Sequence, residues 1–281
     1  MSRNLTGKVV AITGGSRGIG RATAELFIGQ GAKVAIGARN LDFAAKVADD
    51  IGARAYQLDV TVPDSVQQFW KMVEAELGPI DILVNNAGEM IVSRLEHEPD
   101  EATLHQVQVN LLGTLNGMKT AIGPMRERGH GHIINMVSAV GMVGLPGCAT
   151  YSAAKHGVVG LSEAVRAELR GTGVDLSIVL PIPAQTELTS GVGKGRFVPL
   201  LTAQDIAKAV LRTARHPVYN RYVPGWTNPV TRSLFLLPQS WRDAMGRLLK
   251  ADQLLRTTDF QARTGYEARL GHTTQRREAA L

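Results

Sequence analysis

Short, nearly unbroken apolar runs alternate along this chain with stretches whose apolar residues recur at helical spacing. Residues 8–13, 33–37, 53–58, 80–84, 131–137 and 174–180 read as strands buried on both faces, and 221–223 as a short further strand. Helical periodicity runs from the glycines at 18 and 20 to Phe27, then over 64–77, 99–126, 151–170 and 202–215. Thr202 and Asp205 open the last of these as a capping-box-like pair. Strand and helix alternate and no segment repeats. The pattern therefore predicts an α/β fold, a doubly wound parallel sheet of about seven strands with helices on both faces.

Past Pro224-Gly225 the alternation stops, and residues 226–281 read as a C-terminal extension to a domain spanning 1–225. Pro238 ends an apolar stretch, Ser240 is the expected N-cap of a following helix, and Asp243 suits its positive end. Trp241, Ala244, Met245, Leu248, Leu249 and Leu255 would form one apolar stripe, bordered by Arg242, Arg247, Lys250 and Arg256. The stripe is expected to pack at the substrate mouth or on a second subunit, with a membrane surface as the alternative. Beyond Thr257 the residues are polar without periodicity, and the end at Arg276-Arg277 is expected to be disordered.

Charge sharpens this division. From Pro217 onward ten Lys or Arg stand against five Asp or Glu, so this part carries +5 of the formal +6. The nearly neutral body argues against a nucleic-acid-binding face. Cys148 is the sole cysteine, which excludes an intrachain disulfide and argues against a Cys/His metal cluster, so no metal is expected. Polar Ser2-Arg3-Asn4 does not resemble a signal peptide and no apolar run is long enough to span a bilayer, so the cytoplasm is the expected location.

The candidate chemistry lies where strands end. Gly14, Ser16, Arg17, Gly18, Ile19 and Gly20 join the first strand to the first helix, where glycines let backbone approach a pyrophosphate at a helix N-terminus. Such a loop also serves any tight turn. The second strand ends in Ala38-Arg39, with no acid to take a ribose 2′-hydroxyl; Arg39 and Arg17 suit a 2′-phosphate and hence NADP, unless both are simply surface arginines. Asp59-Val60 and Asn85-Asn86-Ala87-Gly88 follow the third and fourth strands, at the mouth where such sheets bind ligands. The asparagines there could equally stabilise turns. Asn110 lies inside a helix among apolar neighbours and needs a buried partner. Tyr151 and Lys155 are one helical turn apart, and a nearby ammonium favours the phenolate, as a general acid/base requires.

Taken in order, Thr13-Gly14-x-x-x-Gly18-x-Gly20, Asn85-Asn86-Ala87-Gly88, Asn110, Ser138 and Tyr151-x-x-x-Lys155 resemble the short-chain dehydrogenase/reductase family over roughly residues 5–225, whose fold is Rossmann-like. The resemblance implies roles for these positions. Tyr151 would be the acid/base; Lys155 would lower its pKa and bind the nicotinamide ribose. Ser138 would hold the substrate oxygen, and Asn110 would position a water. Asp59 and Val60 would border the adenine, with Asn86, Ala87 and Gly88 near the ribose. It also implies pairing of the helices around Asn110 and Tyr151 into a homodimer or homotetramer. One departure stands out: in Pro181-Ile182-Pro183-Ala184-Gln185-Thr186, isoleucine replaces the family's usual glycine, so a different loop path is expected, with Pro181 and Thr186 kept as cofactor contacts.

The loops after the fourth, fifth and sixth strands offer Met90, Ile91, Val140, Met142, Val143, Leu145, Val192 and Phe197. They point to a hydrophobic alcohol or ketone as substrate. Two other readings remain open, a catalytically silent NADP-binding regulator or scaffold and a lipid-binding protein of the membrane surface.

Overall fold

In the computed structural model, which describes residues 2–192, 200–248 and 255–270, the wholly buried run Val9–Thr13 forms β1. It leads into α1 (Gly18–Ile28), β2 (Lys33–Ala38), α2 (Leu41–Ile51) and β3 (Arg54–Gln57). Then come α3 (Pro63–Leu77), β4 (Ile80–Asn85), α4 (Asp100–Val107), α5 (Gly113–Arg128) and β5 (Gly131–Met136). α6 (Ala149–Glu168) and β6 (Val174–Pro181) precede a small pair, β7 (Ala184–Gln185) with β8 (Leu201–Thr202), and then α7 (Ala203–Arg215) and β9 (Asn220–Val223). The main sheet is seven-stranded and parallel, in the order β3-β2-β1-β4-β5-β6-β9. The expected doubly wound, Rossmann-like architecture is present.

Sequence periodicity explains the two helical layers. In α3 Pro63 opens the helix, Val66, Phe69, Trp70 and Val73 recur on one face, and Gly78 ends it at φ 99°. That face joins residues of α5 and α6 against one side of the sheet, while α1, α2 and α7 cover the other with Phe27, Val47, Ile206 and Val210. Each such side chain contributes roughly 1.5–3 kcal/mol by leaving water. Thr202 and Asp205 form the expected capping box of α7. The strand order reverses at β1 and β4, so a crevice opens beyond their carboxyl ends.

The single helix expected over 99–126 is instead α4 and α5, separated by a π-turn at Gln108–Leu112. Asn110 explains the break. Its side-chain amide donates to Gln106 O at 2.9 Å and to Glu89 O at 2.8 Å, inserting itself into the helical ladder.

The extension also departs from expectation. It contains α8 (Thr227–Leu236), α9 (Gln239–Leu248) and α10 (Phe260–Arg269). α9 begins at Gln239, so Ser240 is inside the helix and does not cap it. Trp241 is 66% exposed and Ala244 is exposed as well, so this end of the stripe is not buried within the chain. The side chains of Met245, Arg247, Leu248 and Arg256, and residues Leu249, Lys250, Arg276 and Arg277, lie outside the described set, as does Phe197. The polar stretch after Thr257 is α10, N-capped by Asp259, whose side chain accepts from Ala262 N. None of the described helices is long and apolar enough to cross a membrane.

Candidate active site

The glycine loop lies at the reversal of strand order. Gly14 and Gly18 have φ of 65° and 48°, conformations that favour glycine. A Cβ on Gly20 would lie 2.2 Å from Gly14 O and 2.6 Å from Asn86 Nδ2, so only glycine lets α1 pack this close. Arg17 occupies the N-cap in extended conformation, the first turn of α1 holds no acidic residue, Ser16 is buried below, and Ile19 packs onto the core. A free, positive helix end facing the crevice suits a phosphate.

Thr13 and Asn86 brace this loop. Thr13 Oγ1 accepts from Asn86 N and Ala87 N, each at 3.0 Å, and Asn86 Nδ2 donates to Thr13 O and Gly14 O. A Cβ on Gly88 would meet Asn110 Oδ1 at 3.0 Å and Lys155 Nζ at 3.7 Å, so bare backbone brings the turn up to both. Thr13 is part of the sequence motif, but its bracing role emerges only here. Behind it, Asn85 Nδ2 donates to Asn135 Oδ1, and Asn135 Nδ2 to Ser162 Oγ, both at 2.9 Å, a buried polar chain tying β4 to α6.

Tyr151 and Lys155 lie in the first turns of α6, with Ser138 close by in the loop after β5. Tyr151 is 6% exposed and packs among Met90, Val92 and Cys148, with Val140, Leu145, Leu188, Val192 and Leu255 around them. Burial pushes its phenol above the usual value, Cys148 and Tyr266 add to this, and the nearby Ser138 hydroxyl pulls the other way. Lys155 does not lower it in this arrangement. Its Nζ donates to Met136 O at 3.0 Å and lies 5.7 Å from the Tyr151 ring centroid, and burial brings its own pKa down to about 8. The expected lowering requires the ammonium to turn from Met136 towards the phenolic oxygen.

At the adenosine end the residues have other partners. Arg39 Nη1 lies 3.4 Å from His105 Nε2, whereas Arg17 stacks 3.9 Å over the Phe43 ring and pairs with Glu187 at 3.2 Å. The two arginines are thus not held on one point. Asp59 Oδ1 accepts from Thr61 N and Thr61 Oγ1, and Val60 O accepts from Asn116. Thr186 comes up to the glycine loop, 3.8 Å from where a Cβ on Gly18 would be. Pro181 ends β6 and Ile182 N continues the ladder to Val223 O, so isoleucine is accommodated as extended, buried chain. Of the proposed substrate residues, Met90, Val140, Leu145 and Val192 surround Tyr151, Met142 packs on the neighbouring core, Ile91 is buried, and Val143 is 48% exposed.

Residues that the sequence pattern did not single out complete the site from α10. Arg263, 0% exposed, donates to Leu188 O at 3.2 Å, Ser190 O at 3.0 Å, Met90 O at 2.7 Å and Glu267 Oε1 at 3.3 Å. Met90 N donates to Tyr266 Oη at 3.0 Å. Helix α10 therefore holds both backbone groups of Met90 and ties the loop after β4 to the loop after β6. The available signal was Asp259 as a cap, with Arg263 and Glu267 four residues apart and Tyr266 between them.

Glycines where a Cβ would collide or the backbone favours glycine, a free helix terminus and a lysine beside Gly88 fit a dinucleotide. Among the described residues no cluster of metal-ligating side chains occurs.

Comparison with known proteins agrees with this geometry. A family model described as short chain dehydrogenase matches residues 8–196. The 3-oxoacyl-[acyl-carrier-protein] reductase FabG of Escherichia coli is 33% identical over 245 residues, covering 83% of this chain and 100% of that protein. The 3-oxoacyl-[acyl-carrier-protein] reductase of Bos taurus is 35% identical over 227 residues, 77% of this chain and 94% of its own length. In shape, the chain resembles the crystal structure of a short chain dehydrogenase/reductase from Burkholderia phymatum in complex with NAD. The TM-score is 0.75 at 22% identity, covering 82% of this chain and 93% of that one, a likeness of fold.

Proposed function

The chain belongs to the short-chain dehydrogenase/reductase family, and from that premise we propose that it moves a hydride between NADP(H) and a hydrophobic ketone or alcohol. The observation that carries this reading is Tyr151, a buried phenol near Ser138 and enclosed by apolar side chains from loops after β4, β5 and β6. When bound, the dinucleotide supplies or accepts the hydride. Tyr151 gives its proton to the carbonyl oxygen in reduction and takes it back in oxidation, with Ser138 orienting that oxygen. Lys155, turned from Met136, stabilises the resulting phenolate and holds the ribose. The apolar wall excludes water and seats the substrate's hydrocarbon part. Catalysis on this reading is orientation plus a placed proton.

Gly14 to Gly20 would hold the pyrophosphate, Asp59 and Val60 the adenine, Asn86 to Gly88 the ribose region, and Pro181 and Thr186 the nicotinamide end. NADP is preferred over NAD because β2 ends in Ala38-Arg39 with no carboxylate to repel a 2′-phosphate. Residues 1–225 form the catalytic body and 226–281 its extension, in a cytoplasmic homo-oligomer. Fluorescence titration tests the cofactor. NADPH should bind more tightly than NADH, and Arg39→Asp should cost NADPH about tenfold to a hundredfold, since a charged hydrogen bond contributes ~1.5–3 kcal/mol. Equal affinities in the unmodified protein would remove the preference.

A further inference from the structure

Tyr266 has a proton with no assigned use. Its Oη accepts from Met90 N, and among the described residues no acceptor takes the phenolic hydrogen. Met90 also packs on Tyr151, so one residue joins the two phenols. Tyr266 is held there with little freedom. Arg263, with its guanidinium carbon 5.3 Å from the Tyr266 ring centroid, spends its donors on four oxygens, three of them carbonyls of the loops after β4 and β6. Asp259 N donates to Gly191 O at 2.7 Å and Ser190 Oγ to Ala262 O at 3.2 Å, fastening the start of the same helix.

Tyr266 is half-buried, and its hydroxyl, which already accepts from Met90 N, still has its own proton to donate to an oxygen placed beside it. We propose that Tyr266 is a substrate-binding residue that donates to a second oxygen of the substrate, beyond the carbonyl held by Ser138 and Tyr151. Substrates would then be ketones carrying a further carbonyl near the reacting one, such as 3-oxo esters, in preference to simple ketones. Arg263 is the positioning residue that keeps the donor in place. This rests on the oxidoreductase reading above and refines its substrate class. The electrostatic coupling of Tyr266 to Tyr151 agrees with the placement.

The test uses two ketones of equal chain length, ethyl 3-oxobutanoate and 2-heptanone, reduced with NADPH by the full chain and by Tyr266→Phe. The ratio of kcat/KM for the oxo ester to that for 2-heptanone should fall about tenfold in the variant, the size of one lost hydrogen bond. A lost structural contact would lower both substrates alike and leave the ratio unchanged, and an unchanged ratio overturns the proposal. Should Tyr266→Phe not fold, the unmodified chain decides. In its NADP complex ethyl 3-hydroxybutanoate should bind at least tenfold more tightly than 2-heptanol, and equal binding overturns the proposal. A protein that reduces neither ketone and binds neither alcohol fails the broader functional reading instead, a result distinct from an unchanged ratio.

Discussion

Glu89, next to Gly88, should make this protein less stable as pH rises from about 4.5 to neutrality. Its side chain is 2% exposed, and neither carboxylate oxygen has a hydrogen-bond partner among the described residues. Burial raises its pKa from 4.5 to about 7, opposed only by Arg39. His105 Nε2 lies 3.5 Å away, but burial and then Arg39 hold that imidazole below its usual 6.5, so at neutral pH it brings no compensating charge. Between pH 4.5 and about 7 the folded chain keeps a proton that the unfolded chain has released. Stability therefore falls across that window and levels off above it. Moving the carboxyl from 4.5 to about 7 corresponds to about 3 kcal/mol. Glu89→Gln has the same shape and does not titrate. The stability difference, variant minus unmodified, should grow by about 3 kcal/mol between pH 4.5 and pH 8. Any fixed cost of burying the amide cancels from that change. Urea unfolding at several pH values and one protein concentration measures it. Curves that stay parallel across the range would show that Glu89 titrates as an ordinary carboxylate.

Tyr151→Phe should abolish turnover while leaving NADPH binding within about twofold, because only the proton-transfer group is removed; retained turnover on a reduced ketone would reassign the acid/base. Lys155→Met should harm both turnover and NADPH affinity, read in the same two assays. Arg263→Met should lower stability by roughly 3–5 kcal/mol, since it strips a buried partner from Glu267 and three carbonyls; a melting temperature within a degree of the parent would show that the clamp contributes little. Exposed Leu104 and Leu112, close to Asn110, should be covered by a second subunit, so light scattering at micromolar concentration should report a dimer or tetramer, against a particle of one chain's mass.

How legible each part was in the sequence follows from where its partners lie. Strands such as Val9–Thr13 are buried on both faces, so their whole environment is written in consecutive apolar residues. Glycines 14, 18 and 20, like Tyr151 and Lys155, act over a single turn, and spacing alone places them. The π-turn was hidden because it depends on Asn110 reaching a carbonyl at Glu89, in a loop distant along the chain. Lys155 shows the same limit within a recognised motif. Spacing set it beside Tyr151, but Met136 O, at the end of β5, decides where its charge points. Helix α10 is the fullest case. Arg263, Tyr266 and Glu267 share one face at helical spacing, yet they are polar, and a polar face ordinarily signals solvent. That face is instead matched by backbone oxygens of loops that have no ladder partner of their own. Loops after parallel strands end in unpaired carbonyls, and an arginine with several fixed donors can serve two such loops at once. The polarity that hides α10 from a search for apolar stripes is thus what allows it to close the mouth of the site, because a leucine at 263 would leave those carbonyls without a donor.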